Sequence, residues 1–420
     1  MADTTAAGRI VTLDAVRGFA VCGILVMNIV SMGMPGYAYV DPNYYGGAHG
    51  ADLAAWALAY IFADGKMRAL FTMLFGASLL LITDAAENRE PGPARTHYAR
   101  IFWLFAFGML HAWFVWYGDI LVEYAICGAI AFIGRKWKPS ALIFAALCLI
   151  AFSAAHSLIQ WHDVNVLQAL ADGPNPPADA VREWNKVLAQ TIPNPEVIGR
   201  ELRLYHGSVA EAFAARAPMT TMFQTVVLPG VVPETLGFVF LGMALYRLGF
   251  WTSRWLKRAY RWIIVSGVAA ILLYLPLTGA IVAHGFDPAF LPLADALTLL
   301  LRSFLALAYA SALMLMMEAR VANWLMSRFA AAGRMAFSNY LGTSLIMTTI
   351  FYGYGLGLFG QLGVTSALAI AVAVYFAQVP FSAWWLGRYR YGPVEWLWRT
   401  LMYGAAQPMR LSSTPRPASA

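Results

Sequence analysis

The side chains able to do chemistry in this chain lie in apolar surroundings, where each needs a reason to be present. Asp14 and Arg17 open the run LDAVRGFAVCGILVMN. Three residues apart, they share one helical face and can pair or hold an anion. Asn28 ends the run, about 20 Å further along a helix axis. Lys66 and Arg68 head a second apolar run, His111 sits inside FGMLHAWF, and Asp119 and Glu123 head the run after that. A histidine can take a proton from a hydroxyl or amine near neutral pH. An amide or a cation can stabilise an oxyanion where water is excluded. The catalytic candidates are therefore His49, Asn28, His111 and Asp119, with Lys66, Arg68 and Glu123 binding substrate beside them. The competing structural reading has Asp119 and Glu123 neutralising Lys66 and Arg68, and the two readings are compatible.

Further candidates are spread along the chain. His49 lies in the glycine-rich stretch YYGGAHGAD, free to reach into a cavity, with plain solvation as the competing reading, and His206 lies in LYHGS of the long loop as a weaker candidate. Glu234 follows Pro229 and Pro233, which should kink or break a helix there. Arg302 in a later run can pair with it, either as a structural pair or as part of a substrate site under a broken helix. Arg17, Arg334, Arg388 and Arg399 form a basic set suited to the phosphates of a donor. No metal site is expected, because Cys22, Cys127 and Cys148 all fall in apolar runs without ligand or disulfide spacing. The run GYGLGLFG has neither a preceding strand nor a following Lys-Ser/Thr, so it reads as a turn and not a nucleotide loop.

The elements that must position these groups are membrane helices. With 60% hydrophobic and 12% charged residues, the chain reads as an all-α polytopic membrane protein and not a soluble enzyme. About ten transmembrane helices are expected, at 15–34, 66–84, 100–117, 119–135, 139–160, 220–247, 259–283, 294–317, 335–357 and 364–386. Lys and Arg fill alternate loops, which predicts both termini in the cytoplasm and makes the net charge of +7 a topology signal rather than a nucleic-acid one. The first run carries no small-residue cleavage site after it, so it reads as a retained anchor.

This gives four regions: an N-terminal membrane half of five spans (1–160), an extracytoplasmic helical loop (161–218), a C-terminal half of five spans (219–400) and a cytoplasmic tail (401–420). In the loop, Ala178 to Ala189 and Pro195 to Ala215 have amphipathic spacing, whereas 53–63 is too short to span and suits the membrane interface. Gln407 to Ala420 is rich in Pro and Ser and reads as disordered. No internal repeat is evident, which weighs against a transporter of two inverted halves.

Taken together, LDAVRGFAVCGILVMN, FADGKMRALFTMLFGA, GDILVEYAICG, GRMAFSNYL and GPVEWLWR resemble the bacterial YeiB family of membrane proteins, over nearly the whole chain. More distantly, Asp14, Arg17, Gly18 and Asn28 resemble the first helix of transmembrane acyltransferases of the heparan-α-glucosaminide N-acetyltransferase type. That likeness implies a loop histidine active in acetyl transfer. His49 stands in its place, at a longer spacing from Asn28.

The expectation is an acyltransferase in the bacterial inner membrane. It would move an acyl group from cytosolic acyl-CoA, a co-substrate rather than a bound cofactor, to a small-molecule, glycan or lipid acceptor outside. The alternative is a transporter of a small organic solute or lipid that uses Glu234, Arg302 and an outward polar cavity. Lipid bilayer is the expected partner, nucleic acid is not, and a second copy of the chain is one option.

Overall fold

The computed structural model describes residues 10–47 and 49–411. Arg9 and the end of the expected tail, 412–420, lie outside the described residues. Sixteen α-helices and no β-strand occur among them: α1 (Val11–Gly33), α2 (Gly50–Phe62), α3 (Lys66–Ala85), α4 (Pro93–Phe114), α5 (Leu121–Ala131), α6 (Pro139–Ala171), α7 (Ala178–Thr191), α8 (Pro195–Tyr205), α9 (Val209–Met222), α10 (Leu228–Arg247), α11 (Lys257–Ala283), α12 (Leu291–Glu318), α13 (Asn323–Arg334), α14 (Ala336–Phe351), α15 (Val364–Leu386) and α16 (Pro393–Tyr403).

Six stretches are long and apolar enough to cross a membrane: 50–85, 139–171, 209–247, 257–283, 291–318 and 364–386. Helices also lie at the other expected spans, but α5 and α14, at 11 and 16 residues, are shorter than a hydrocarbon core requires. The lipid-facing surface is legible in what stays exposed, such as Phe144, Phe152, Trp262, Leu272 and Phe376 on α6, α11 and α15.

Close helix crossings are set by glycine. A Cβ on Gly18 would meet the Phe329 carbonyl oxygen at 1.9 Å, and one on Gly333 would meet that of Asp14 at 1.8 Å. α1 and α13 therefore touch backbone to backbone. The same holds for α3 and α10, where Gly242 faces the Met73 carbonyl at 1.9 Å and Gly76 that of Val239 at 2.1 Å. Small residues allow this approach, and dispersion and polar contacts then hold the helices where lipid offers no hydrophobic drive.

Two expectations change. The segment 53–63 does not stand apart at an interface: α2 enters α3 through a three-residue break with Gly65 at φ +72°. The Tyr309 hydroxyl of α12 donates to the Phe62 carbonyl at 2.8 Å and fixes that break. The helix around Pro229 and Pro233 is not broken either. The helix runs on from Val209 to Arg247, with Pro229 just past a π-turn and Pro233 inside α10. The residues before it, Phe223–Val227, form a π-turn in which the Leu228 N–H donates to the Phe223 carbonyl. Both ends of the expected loop are helical, α6 running on to Ala171 and α9 beginning at Val209.

α7, α8 and the start of α9 cover one end of the bundle, the end where α1 finishes. α8 is tied down by the Gly36 N–H, which donates to Glu201 Oε1 at 3.1 Å, and by the Gly353 N–H, which donates to the Tyr205 carbonyl at 2.7 Å. The glycine run between α14 and α15 is thus a clasp, its Gly360 N–H also bound to the Gly33 carbonyl at 2.7 Å. From α9, Arg216 reaches down to the last turn of α4. Only 2% exposed, it donates from Nε to the Trp113 carbonyl and from Nη1 to the Val115 carbonyl, both at 2.9 Å. Those carbonyls have no partner within the helix, so a side chain from elsewhere must supply one.

Arg216→Met leaves both carbonyls bare and is expected to lower stability by about 2 kcal/mol, read as earlier unfolding in detergent with membrane insertion unchanged. Burial pushes the Glu201 carboxyl, outside the spans, from 4.5 up to about 7. The folded form therefore holds its proton longer than the unfolded one. The docking of α8 should be firmest below pH 4.5 and should weaken as pH rises through about 7. Hydrogen exchange at the Gly36 amide should quicken over that window beyond its intrinsic pH dependence, and Glu201→Gln should remove the excess.

Candidate functional site

At the middle of the bundle, five charged side chains from four helices form one ladder. Arg68 of α3 donates from Nη2 to Glu234 Oε2 at 2.7 Å, and from Nη1 to Glu123 Oε1 at 3.2 Å and Thr235 Oγ1 at 2.9 Å. The second oxygen of Glu234 accepts from Arg302 Nη1 at 3.2 Å. Arg302 Nη2 donates in turn to Asp295 and, at 3.2 Å, to Thr298 Oγ1. Ser157 of α6 donates to the far oxygen of Asp295 at 3.0 Å. Charges in apolar surroundings persist only when paired and hydrogen-bonded, and each rung here meets that condition.

Beside the ladder stands a dyad. His111 Nδ1 lies 2.7 Å from Asp119 Oδ2, and the other Asp119 oxygen accepts the Val122 N–H at 2.9 Å, which fixes the carboxylate at the start of α5. A carboxylate at Nδ1 favours the tautomer with its proton there, which leaves Nε2 as a base. That Nε2 is buried without a hydrogen-bond partner among the described residues. The imidazole packs against the Tyr340 ring, centroids 5.2 Å apart, and the Tyr340 hydroxyl accepts the Ile120 N–H at 3.2 Å.

Two cavities open at opposite ends of α1. The first, about 290 Å³, lies at the α1 start, with Asp14, Arg17, Arg100, Arg334, Glu395 and Arg399 among its walls and Leu104, Tyr124 and Tyr340 at greater depth. Arg17 is set by its hydrogen bonds to Asp14 at 3.0 Å and Ser78 at 2.7 Å. The second, about 210 Å³, lies at the α1 end and is walled by Tyr39, Trp56, Tyr60, Asp64, Asp295 and Arg302.

The six residues expected to share one wet hollow, Asn28, Lys66, Arg68, His111, Asp119 and Glu123, line neither of these two cavities. Arg68 and Glu123 belong to the ladder, and His111 and Asp119 to the dyad. Lys66 stands apart, 1% exposed, with its ammonium 3.7 Å from the Tyr274 ring centre and bonded to the Tyr60 carbonyl at 2.5 Å. Two positions along a helix turn a side chain through about 200°, so Lys66 and Arg68 cannot share partners.

Asn28 is half-buried, and its side chain has no hydrogen bond among the described residues. His49 is exposed at the start of α2 and lines neither cavity, because Asp52 ties this turn to the Thr365 N–H at 2.8 Å. Arg388 is exposed and lies over the Trp384 ring at 4.4 Å, away from the other arginines. His206 binds the Phe359 carbonyl at 2.8 Å, a structural role.

Glu234 and Arg302 pair as their depth suggested. Asp295, Arg100 and Tyr340 were missed. Asp295 stands seven residues before Arg302 on the same face, a spacing that could have flagged it. Arg100 stands on the His111 face of α4 but reads in sequence as one more loop arginine.

The chain is 31% identical over 414 residues to the uncharacterized protein YeiB of Escherichia coli (strain K12), covering 97% of this chain and 100% of that one. It is 29% identical over 412 residues to the uncharacterized protein YxaH of Bacillus subtilis (strain 168), covering 96% of each. A family model described as "Protein of unknown function (DUF418)" matches residues 245–405. No solved structure matches.

If the ladder acts as one unit, a double-mutant cycle on Glu234→Gln and Arg302→Gln will be non-additive. The expected coupling is about 0.5–3 kcal/mol, read from unfolding in detergent. Additive losses would mean that the rungs are independent.

Proposed function

This chain belongs to the YeiB family, and we propose that it is a membrane-embedded acyltransferase, passing an acyl group from a cytosolic acyl-CoA-type thioester to an acceptor on the other side. The observation that carries the reading is the first cavity, walled by Arg17, Arg100, Arg334 and Arg399 and ending at Tyr340, against whose ring the His111–Asp119 dyad packs. Arginines of this kind bind phosphates in fork geometry. In this reading ten helices cross the bacterial inner membrane, and the α1 start faces the cytoplasm. The concentration of Lys and Arg in alternate loops supports that orientation.

The chemistry requires few parts. An acceptor hydroxyl or amine gives its proton to His111 Nε2 as it attacks the thioester carbonyl. The tetrahedral oxyanion collapses and expels the thiolate, which takes the proton back from the imidazolium. Asp119 holds the imidazole and offsets its transient charge. Asn28 continues the Arg17, Val21, Ile24 stripe of α1 that lines the cavity, at a spacing of four, three and four residues, and its unpartnered amide suits the oxyanion. His49, exposed and outside both cavities, has no part in this mechanism.

Transport of a small solute or lipid is the second reading, favoured by the break between α2 and α3 and by two cavities separated by a charged ladder. Consumption of labelled acyl-CoA in detergent, where no gradient exists, decides between them. His111→Gln is expected to lower acyl transfer by roughly 100- to 10,000-fold, and Asp119→Asn to impair it as well, with both variants inserting normally. Undiminished turnover in His111→Gln would remove the mechanism.

A further inference from the structure

The first cavity holds a guanidinium that forms no ion pair among the described residues. Arg100 is 9% exposed, and its guanidinium lies 5.4 Å from the Phe75 ring centre and 5.2 Å from that of Trp398. Its Nε and Nη1 are buried without a hydrogen-bond partner among the described residues. The rings offer their faces to the charge but no acceptor to its N–H groups. The acidic side chains of the same cavity are engaged elsewhere. Asp14 pairs with Arg17 at 3.0 Å, and Glu395 accepts the Phe337 and Ser338 amides at 2.8 and 3.0 Å at the start of α14. A desolvated guanidinium with open donors is costly unless an anion arrives.

The cavity also indicates which anion. Arg17, Arg334 and Arg399 line the same space, a density of positive charge that suits the doubly charged phosphate better than a single carboxylate. Past Arg100 the wall turns apolar through Leu104, Val21 and Ile24 toward Tyr340. Arg100, Leu104 and His111 recur on one face of α4, so the distance from the guanidinium level to the dyad level is about 16 Å. A free phosphate would leave that apolar depth empty.

We propose that Arg100 is the anion receptor of a site for a phosphate-bearing chain molecule, with the phosphate beside Phe75 and Trp398 and the chain lying along Leu104 toward Tyr340. α16 closes the site, since Trp398 Nε1 also donates to the Arg100 carbonyl at 3.2 Å. The inference deepens the donor site of the preceding reading without requiring acyl transfer.

The test is calorimetric titration of the full chain in a neutral maltoside detergent with decyl phosphate and with decyl alcohol. Wild type should bind the phosphate roughly tenfold or more tighter than the alcohol. Arg100→Gln should abolish that preference, and Arg100→Lys should restore part of it. Leu104→Trp, which blocks the chain and leaves the charge, should weaken both ligands. Equal affinity for the two ligands in wild type, or an intact preference in Arg100→Gln, would overturn the site. Competition by coenzyme A assigns the phosphate to a soluble donor, and competition by phosphatidic acid assigns it to a lipid. Thioester turnover on the same preparation keeps the two readings separate: a lost phosphate preference removes this site, whereas absent turnover with the preference intact removes only acyl transfer.

Discussion

Glu234 is the residue on which the middle of this molecule depends. One carboxylate accepts from two arginines on different helices, Arg68 of α3 and Arg302 of α12, and stands between them on α10. In an apolar layer neither arginine could remain charged and unpaired, and neither helix could shift by a turn without stranding its cation. The ladder therefore fixes register as well as neutralising charge. Glu123 and Asp295 extend it to α5 and toward α6, so four helices and the Ser157 hydroxyl of α6 answer to one electrostatic arrangement.

Packing around the ladder follows from what lipid cannot supply. Helices in hydrocarbon gain little from burying one apolar face against another, so they associate where backbones can approach. Gly76 and Gly242 provide such a crossing between α3 and α10, the two helices that carry Arg68 and Glu234. A second crossing, Gly18 against Gly333, brings the start of α1 and the end of α13 together and places Arg17 and Arg334 in the same cavity wall. Close backbone contact thus positions both the buried ladder and the arginines at the cavity.

The two ends of the bundle are built differently. At the α1 start, basic side chains surround a deep apolar recess that leads toward the His111–Asp119 dyad. At the α1 end, the recess is smaller and aromatic and carries acidic side chains, and α8 is clasped over that end by backbone hydrogen bonds. The ladder lies between the recesses and presents Arg302 to the second.

Much of this was written in composition and spacing. Apolar runs of membrane length, the Asp14–Arg17 face, the candidate pair of Glu234 with Arg302 and the need for Glu123 and Arg68 to find opposite charges follow from helical periodicity and the penalty on isolated buried charge. The angular separation of Lys66 from Arg68 was legible too, since it is a property of any helix. What periodicity cannot encode is which face of one helix meets which face of another, because that depends on crossings among segments far apart in the chain. His111 and Asp119 are eight residues apart, yet they meet only because the chain reverses between α4 and α5. Arg216 finds the end of α4 from about a hundred residues away, and the start of α2 beside His49 is tied to α15. The sequence by itself determined a many-helix apolar bundle with charges that had to be matched. Only the tertiary structure decided most of the matches and left Arg100 without an ion-pair partner among the described residues, because partner choice is a matter of interhelical geometry that no local pattern carries.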